Sequence, residues 1–173
     1  MTTSSSYRFI LRSVAFIKVL IVISIPSVSA LPEHFDDIRK AANWLKNRVE
    51  LAGIENVEIM ETGGHPSVYG DWLHAGNDKP TVLVYGHFDV QPVDPIDLWD
   101  HDPFSGKIID GKIYGRGASD DKGSMLIPIL SFESILASDK KFPINIKFLF
   151  EGQEEVASPD MPAFVKENRE KLA

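Results

Sequence analysis

Hydrophobic positions along the chain switch repeatedly between helical and extended spacing. In "PEHFDDIRKAANWLKNRVELAG", which begins at Pro32, the residues Ile38, Ala41, Ala42, Leu45, Val49 and Leu51 recur at roughly helical spacing. Acids crowd the first turn and Gly53 closes the segment, so the pattern predicts an amphipathic helix. "NVEIMET" alternates as a half-buried strand does, and "SVYGDWL" follows the "GGHP" turn as a second short strand. After the loop "HAGNDKP", the run "TVLVYG" is apolar almost throughout, the pattern of a strand covered on both faces. "KIIDGKIYG" places strand residues on either side of Asp110 and Gly111, a hairpin signal. "DDKGSMLIPILSFESILAS" predicts a helix through Met125, Ile129, Phe132, Ile135 and Leu136. Pro128 would cost about 3 kcal/mol in its interior unless the helix begins close before it. "INIKFLFEG" is a further buried strand. "SPDMPAFVKENREKLA" reads as a closing helix, with Ser158 as its cap and Pro159 or Pro162 in the first turn. Strands alternating with helices imply a layered α/β domain, with no interior linker.

Composition narrows what such a domain can do. A chain of 173 residues, 43% hydrophobic and 25% charged, has enough apolar material for one domain with a real core. Its net charge of −7, without a basic run, makes it a poor candidate for nucleic acid, so no nucleic-acid partner is expected, because phosphate neutralisation needs clustered Lys and Arg. With no cysteine, disulfides, thiolate metal sites and a cysteine nucleophile are excluded. Any metal must then be held by His, Asp and Glu, and a reducing compartment fits. Residues 1–24 form an apolar N-terminal segment, to be read as a first helix or as part of a signal-like leader that runs on to "VSA" at residues 28–30. Ser-rich and acid-poor, it also passes for a transit peptide. Lys18 splits its apolar run and Pro26 closes it, so no stable membrane span is expected.

Three polar clusters follow strand ends. "TVLVYGHFDVQP" ends by placing His87 and Asp89 two positions apart, on one side of an extended chain. That geometry suits a metal ligand and the carboxylate that orients it. "GRGASDDKG" carries Asp120 and Asp121, and "FLFEGQEE" carries Glu154 and Glu155. Ligand sites of α/β sheets lie beyond the carboxyl ends of the strands, where bare carboxylates would repel and a divalent cation relieves them. Imidazole with carboxylates favours zinc, manganese or cobalt. Each motif alone has a plain alternative, since an H-x-D triplet arises by chance and acid pairs are usually solvated surface. "GRGASDDKG" lacks the G-K-[ST] ending of a phosphate loop, and Ser119 lacks the G-x-S-x-G frame of a nucleophile. His34, His65, His74 and His101 do not end a buried strand and are expected to be surface or packing residues.

Taken together, "YGHFDVQP", "WDHDPFSGKIIDGKIYGRGASDDKG" and "FEGQEEVASP" resemble the two-metal peptidases that include carnosine dipeptidases, aminoacylases and succinyl-diaminopimelate desuccinylase. The dipeptidase branch is the one most resembled. The likeness runs from about Ile25 to Ala173, so residues 25–173 are expected to be the N-terminal part of the catalytic domain. It implies an α/β zinc-peptidase-like domain with a mixed, largely parallel sheet, incomplete at its C-terminus and without the lid and dimerisation domain. His87 is then a ligand of one metal, Asp120 the bridge between two metals, and Glu155 a ligand of the other. Asp89 is implied as a catalytic residue behind His87, and Glu154 as the general base. The cofactors implied are two divalent ions, zinc foremost. The substrate is a small peptide, with an N-acyl amino acid as the rival. A cis peptide is implied between Asp120 and Asp121. Full-length members are homodimeric.

The same resemblance exposes a departure. The family gives each metal three protein ligands, whereas this chain accounts for two per metal. The remaining aspartate and histidine lie further along the family's sequence. The 173-residue polypeptide alone is therefore expected to bind metal weakly and to show little activity, and a non-catalytic chain is the rival of another class. A secreted binding module is a third reading, resting on the N-terminal segment alone. "IPSVSALPEH" resembles a segment the family keeps, which favours a cytoplasmic chain over a secreted one cleaved after Ala30.

Overall fold

The structure, a computed structural model, describes residues 17–139 and 141–173. Helix α1 covers residues 17–23 and buries Val22 and Ile23. Helix α2 (Phe35–Leu51) faces the sheet with Ile38, Ala41, Ala42, Leu45 and Val49. Leu51, expected on that stripe, is 78% exposed. It lies two residues past Val49, about 200° around a helix of 3.6 residues per turn.

Strands β1 (Glu55–Met60) and β2 (Ser67–Trp72) form a hairpin, and β3 (Thr81–His87) follows. Strands β4 (Lys107–Ile109) and β5 (Lys112–Tyr114) make the small hairpin expected around Asp110 and Gly111. Both turn residues have positive φ, 49° and 76°, the left-handed backbone that Asp-Gly supplies most readily. Helix α3 (Lys122–Asp139) and strand β6 (Asn145–Glu151) complete the alternation. Pro128 is only the seventh residue of α3, so its missing N–H leaves one carbonyl of an early turn without a helical donor. The closing helix is broken at Asn168 into α4 (Met161–Glu167) and α5 (Arg169–Leu172). Ser158 does not cap it; its hydroxyl donates to Glu151 Oε1 instead, at 3.0 Å.

The main sheet runs β1-β2-β6-β3. It is mixed, as expected, but not largely parallel. Both β1–β2 and β2–β6 are antiparallel, and only β3–β6 is parallel. The short turn between β1 and β2 forces the first of these, while the long connection through α3 permits the last. Alternation along the strands separates two apolar faces. Val68, Ile146, Phe148 and Phe150 pack with α2, α3 and the N-terminal segment, whereas Leu149 packs with Met161 and Phe164 of α4 on the other side.

The expectation that "TVLVYG" is covered on both faces is corrected. Strand β3 has one neighbour, β6, and Val82, Leu83 and Tyr85 are 41%, 41% and 52% exposed. No described strand pairs with its outer edge. Among the described residues, no helix is long and apolar enough to cross a membrane.

Register is what matters for the site. In the parallel pair, His87 stands opposite Glu151, so the segments leaving β3 and β6 emerge side by side at one end of the sheet. The loop entering α3 reaches the same end, where the Asp121 carboxylate accepts from the His87 N–H at 3.2 Å. Gly86 makes this approach possible, because a Cβ there would lie 2.7 Å from Asp121 Oδ2.

Candidate metal centre

His87 is nearly buried at the end of β3. Its Nδ1 lies 3.2 Å from the carbonyl oxygen of Asp89 and 3.4 Å from Oδ1 of the same residue. Both partners only accept, so Nδ1 carries the proton and Nε2 is the nitrogen left for a ligand's role. Nε2 points at Asp120 Oδ1, 3.0 Å away, with Glu154 Oε2 at 3.8 Å.

Asp89 is fully buried and ties the first motif to the third. Its carboxylate accepts from the backbone N–H of Glu154 at 3.2 Å and of Glu155 at 3.0 Å. A third bond comes from Ser29 Oγ at 2.6 Å. The first two N–H groups of the short 3-10 turn Glu154–Val156 are thereby satisfied by a side chain just past β3, which fixes where both glutamates project.

The second motif enters through the loop before α3. The Asp120–Asp121 peptide bond is cis, as the resemblance implies; among the described residues Asp94–Pro95 is the other cis bond. One donor atom each from His87, Asp120 and Glu155 lie within 4.8 Å of one another. Asp120 is exposed and Glu155 half-buried, with His87 beneath them. The residues fit a divalent cation: five carboxylates, of Asp89, Asp120, Asp121, Glu154 and Glu155, gather about one imidazole, and hard oxygen donors with one nitrogen suit such an ion. Glu154 lies outside the three-donor group while remaining beside it, with Oε2 3.8 Å from His87 Nε2.

Electrostatics match this picture. Burial disfavours a charged His87 ring, yet the hydrogen bond and charge of Asp89, with Asp121 and Glu154 nearby, outweigh it and push the group up to about 9. Burial raises Asp121 as well, opposed by the His87 N–H and ring. A cation must displace the His87 proton, so zinc affinity is expected to climb about tenfold per pH unit toward pH 9 and then level off. Calorimetric titration at several pH values checks this, and a flat profile between pH 6 and 9 would contradict it (about one proton per bound ion is the expectation).

Several residues of the site went unnoticed in the sequence. Ser29 was visible only as part of "IPSVSALPEH". Its neighbours Ser27 and Val28 dock on the segment after β3: Ser27 Oγ donates to the Phe88 carbonyl at 2.6 Å, and Val28 bridges Val90 in parallel. Lys122, the last letter of the "DDK" run, is fully buried, and its ammonium donates to the Ile25 carbonyl. Burial pushes that amine down to about 7 against the pull of Asp89 and Asp37. Glu151, fully buried at the end of β6, accepts from the Tyr85 and Ser158 hydroxyls, and burial raises its carboxyl above the usual range. The other histidines are placed as expected. His65 packs edge-on against Phe35 and reaches the Ser29 carbonyl, and His34 and His74 pair with Asp37 and Glu55. His101 joins Trp99, Tyr114 and Ser119 in lining a cleft of about 520 Å³ next to Asp120 in sequence.

Comparison with known proteins gives concordant results. The sequence profile described as Peptidase family M20/M25/M40 matches residues 83–173. A Beta-Ala-His dipeptidase of Rattus norvegicus is 34% identical over 163 residues, covering 89% of this chain and 33% of the relative. Among solved structures, human carnosine dipeptidase 1 superposes with a TM-score of 0.86 at 28% identity, over 96% of this chain and 37% of that one. The M20 family metallo-carboxypeptidase Sso-CP2 from Sulfolobus solfataricus has a TM-score of 0.84 at 36% identity, over 92% and 35%. The chain thus spans about a third of the length of the relatives it matches.

Proposed function

Because the chain belongs to peptidase family M20/M25/M40, we propose that it forms part of the catalytic domain of a two-metal hydrolase that cleaves the C–N amide bond of dipeptides. The observation that carries this reading is the convergence of His87, Asp120 and Glu155, from three distant motifs, to within 4.8 Å, with Glu154 beside them. The likeness to the rat and human dipeptidases supports dipeptides as the substrate class.

In this reading His87 and Asp120 would hold one cation and Asp120 and Glu155 the other, zinc being favoured by the donor set and manganese or cobalt also suited. Such a pair, when bound, polarises an amide carbonyl and lowers the pKa of water. The chain's own residues do the rest. Asp89 keeps the His87 ring in the tautomer that offers Nε2, and holds the backbone of both glutamates. Glu154, unconstrained by a ligand's role, takes a proton from the attacking water and returns it to the leaving amine. Ser29 and Lys122 tie the N-terminal segment behind the site. With this reading we also propose a cytoplasmic location in which residues 25–30 stay in the mature protein. The burial of Ser27, Val28 and Ser29 supports the last point.

This reading assigns two protein ligands to each cation among the described residues, fewer than the three usual at catalytic zinc. A polypeptide of these 173 residues is therefore expected to bind zinc only at micromolar concentration or weaker, with binding lost in His87→Ala and Asp120→Ala. Isothermal titration decides it. Nanomolar two-site binding would refute the ligand count, and binding indifferent to both substitutions would refute the centre.

A further inference from the structure

We propose that Gln91 is a positioning residue that holds the Glu155 carboxylate in the orientation a cation requires. The inference rests on Glu155 being a metal ligand and goes beyond that assignment. His87, Asp89 and Gln91 stand at alternate positions on one extended segment, whose course is shown by the parallel bridge of Val90 to Val28. Alternate residues of an extended chain share a side. The first motif therefore has three members facing the site rather than two.

Gln91 reaches across to the third motif with a single nitrogen. Its Nε2 donates to Glu155 Oε2 at 2.8 Å and to the Glu155 carbonyl oxygen at 3.1 Å. Asp89 meanwhile accepts from the Glu155 N–H. Glu155 is thus gripped at its N–H from one residue and at its carbonyl and carboxylate from another, two positions further on. No other hydrogen bond reaches the Glu155 carboxylate among the described residues, so Gln91 engages one oxygen and leaves the other for a cation. Without it, a glutamate on a short 3-10 turn samples several rotamers, and a cation must order the side chain as it binds. Gln91 itself is exposed. A bare surface hydrogen bond would explain one contact; it does not explain two contacts converging on one residue 64 positions away.

A double-substitution cycle with zinc tests this on the 173-residue chain, by calorimetry backed by nuclear magnetic resonance at millimolar metal. Gln91→Leu is expected to weaken zinc binding about 10- to 100-fold while leaving the melting temperature of the metal-free chain unchanged. In a Glu155→Gln background it should have no further effect, since the carboxylate it orients is gone. If Gln91→Leu leaves zinc affinity unchanged while Glu155→Gln weakens it, the positioning role is overturned and the ligand assignment survives. Equal losses from Gln91→Leu with and without the Glu155 carboxylate would also overturn it. If Glu155→Gln itself has no effect, or no zinc binds at millimolar metal, the assignment of Glu155 falls and takes the inference with it.

Discussion

Replacing Glu154 with glutamine is expected to slow dipeptide hydrolysis about 10²–10⁴-fold while zinc binding persists. The size follows from the loss of one general base and corresponds to about 2.7–5.5 kcal/mol of transition-state stabilisation. The position supports the assignment. Glu154 Oε2 lies 3.8 Å from His87 Nε2, beside the three donors and outside their group. Its side chain is 43% exposed, so the amide costs little in folding. Its backbone N–H, held by Asp89, stays in place. The effect belongs in kcat, with KM nearly unmoved, in a form of the protein that turns over a dipeptide. Loss of zinc from the variant would make Glu154 a ligand rather than a base, and an unchanged rate would remove it from the chemistry.

Replacing Asp89 with alanine should be the most damaging single change to the fold around the site. Three donors, Ser29 Oγ and the N–H groups of Glu154 and Glu155, would lose their acceptor, and the imidazole would lose the charge that steadies it. A sheltered donor left unpaired costs about 1–3 kcal/mol, and removing one side of a buried ion pair about 3–5 kcal/mol. These overlap, so we expect about 3–5 kcal/mol in all, read from the urea midpoint at constant slope. Zinc affinity should fall about 10- to 100-fold at the same time. Asp89→Asn should lose less, because one oxygen still accepts. A midpoint unmoved by Asp89→Ala would mean that these bonds are replaced by water, and the link between the motifs would lose its support.

Much of the fold was legible because local signals agreed with tertiary needs. The Asp110–Gly111 hairpin and the α2 stripe follow from turn chemistry and helical spacing alone. What failed depended on neighbours. The apolar run of β3 suggested burial, yet its burial depends on what lies beyond its edge, which composition cannot report. Ser158 looked like a cap because it precedes prolines and a helical pattern, but a buried carboxylate at the end of β6 competes for its hydroxyl. Parallel and antiparallel pairing leave similar marks on a strand, so the excess of antiparallel pairs was invisible until the order was known. At the site, charged residues stood out by type. Ser29 and Gln91 did not, because a serine and a glutamine carry no signal until the partners that they reach, 60 and 64 positions away, are folded beside them.

The Asp89 junction has a consequence for the order in which the protein is made. Its partners lie some 60 residues before it and 65 after it. Synthesis runs from the N-terminus, so Ser29 and Asp89 leave the ribosome well before the glutamates. Until β6 has emerged, the buried carboxylate lacks two of its three hydrogen bonds and the imidazole has no glutamates to face. Bringing such distant stretches together carries a loop-closure entropy that only the finished sheet can offset. In a nascent chain the third candidate donor, Glu155, therefore joins His87 and Asp120 only once the β3–β6 pair is complete.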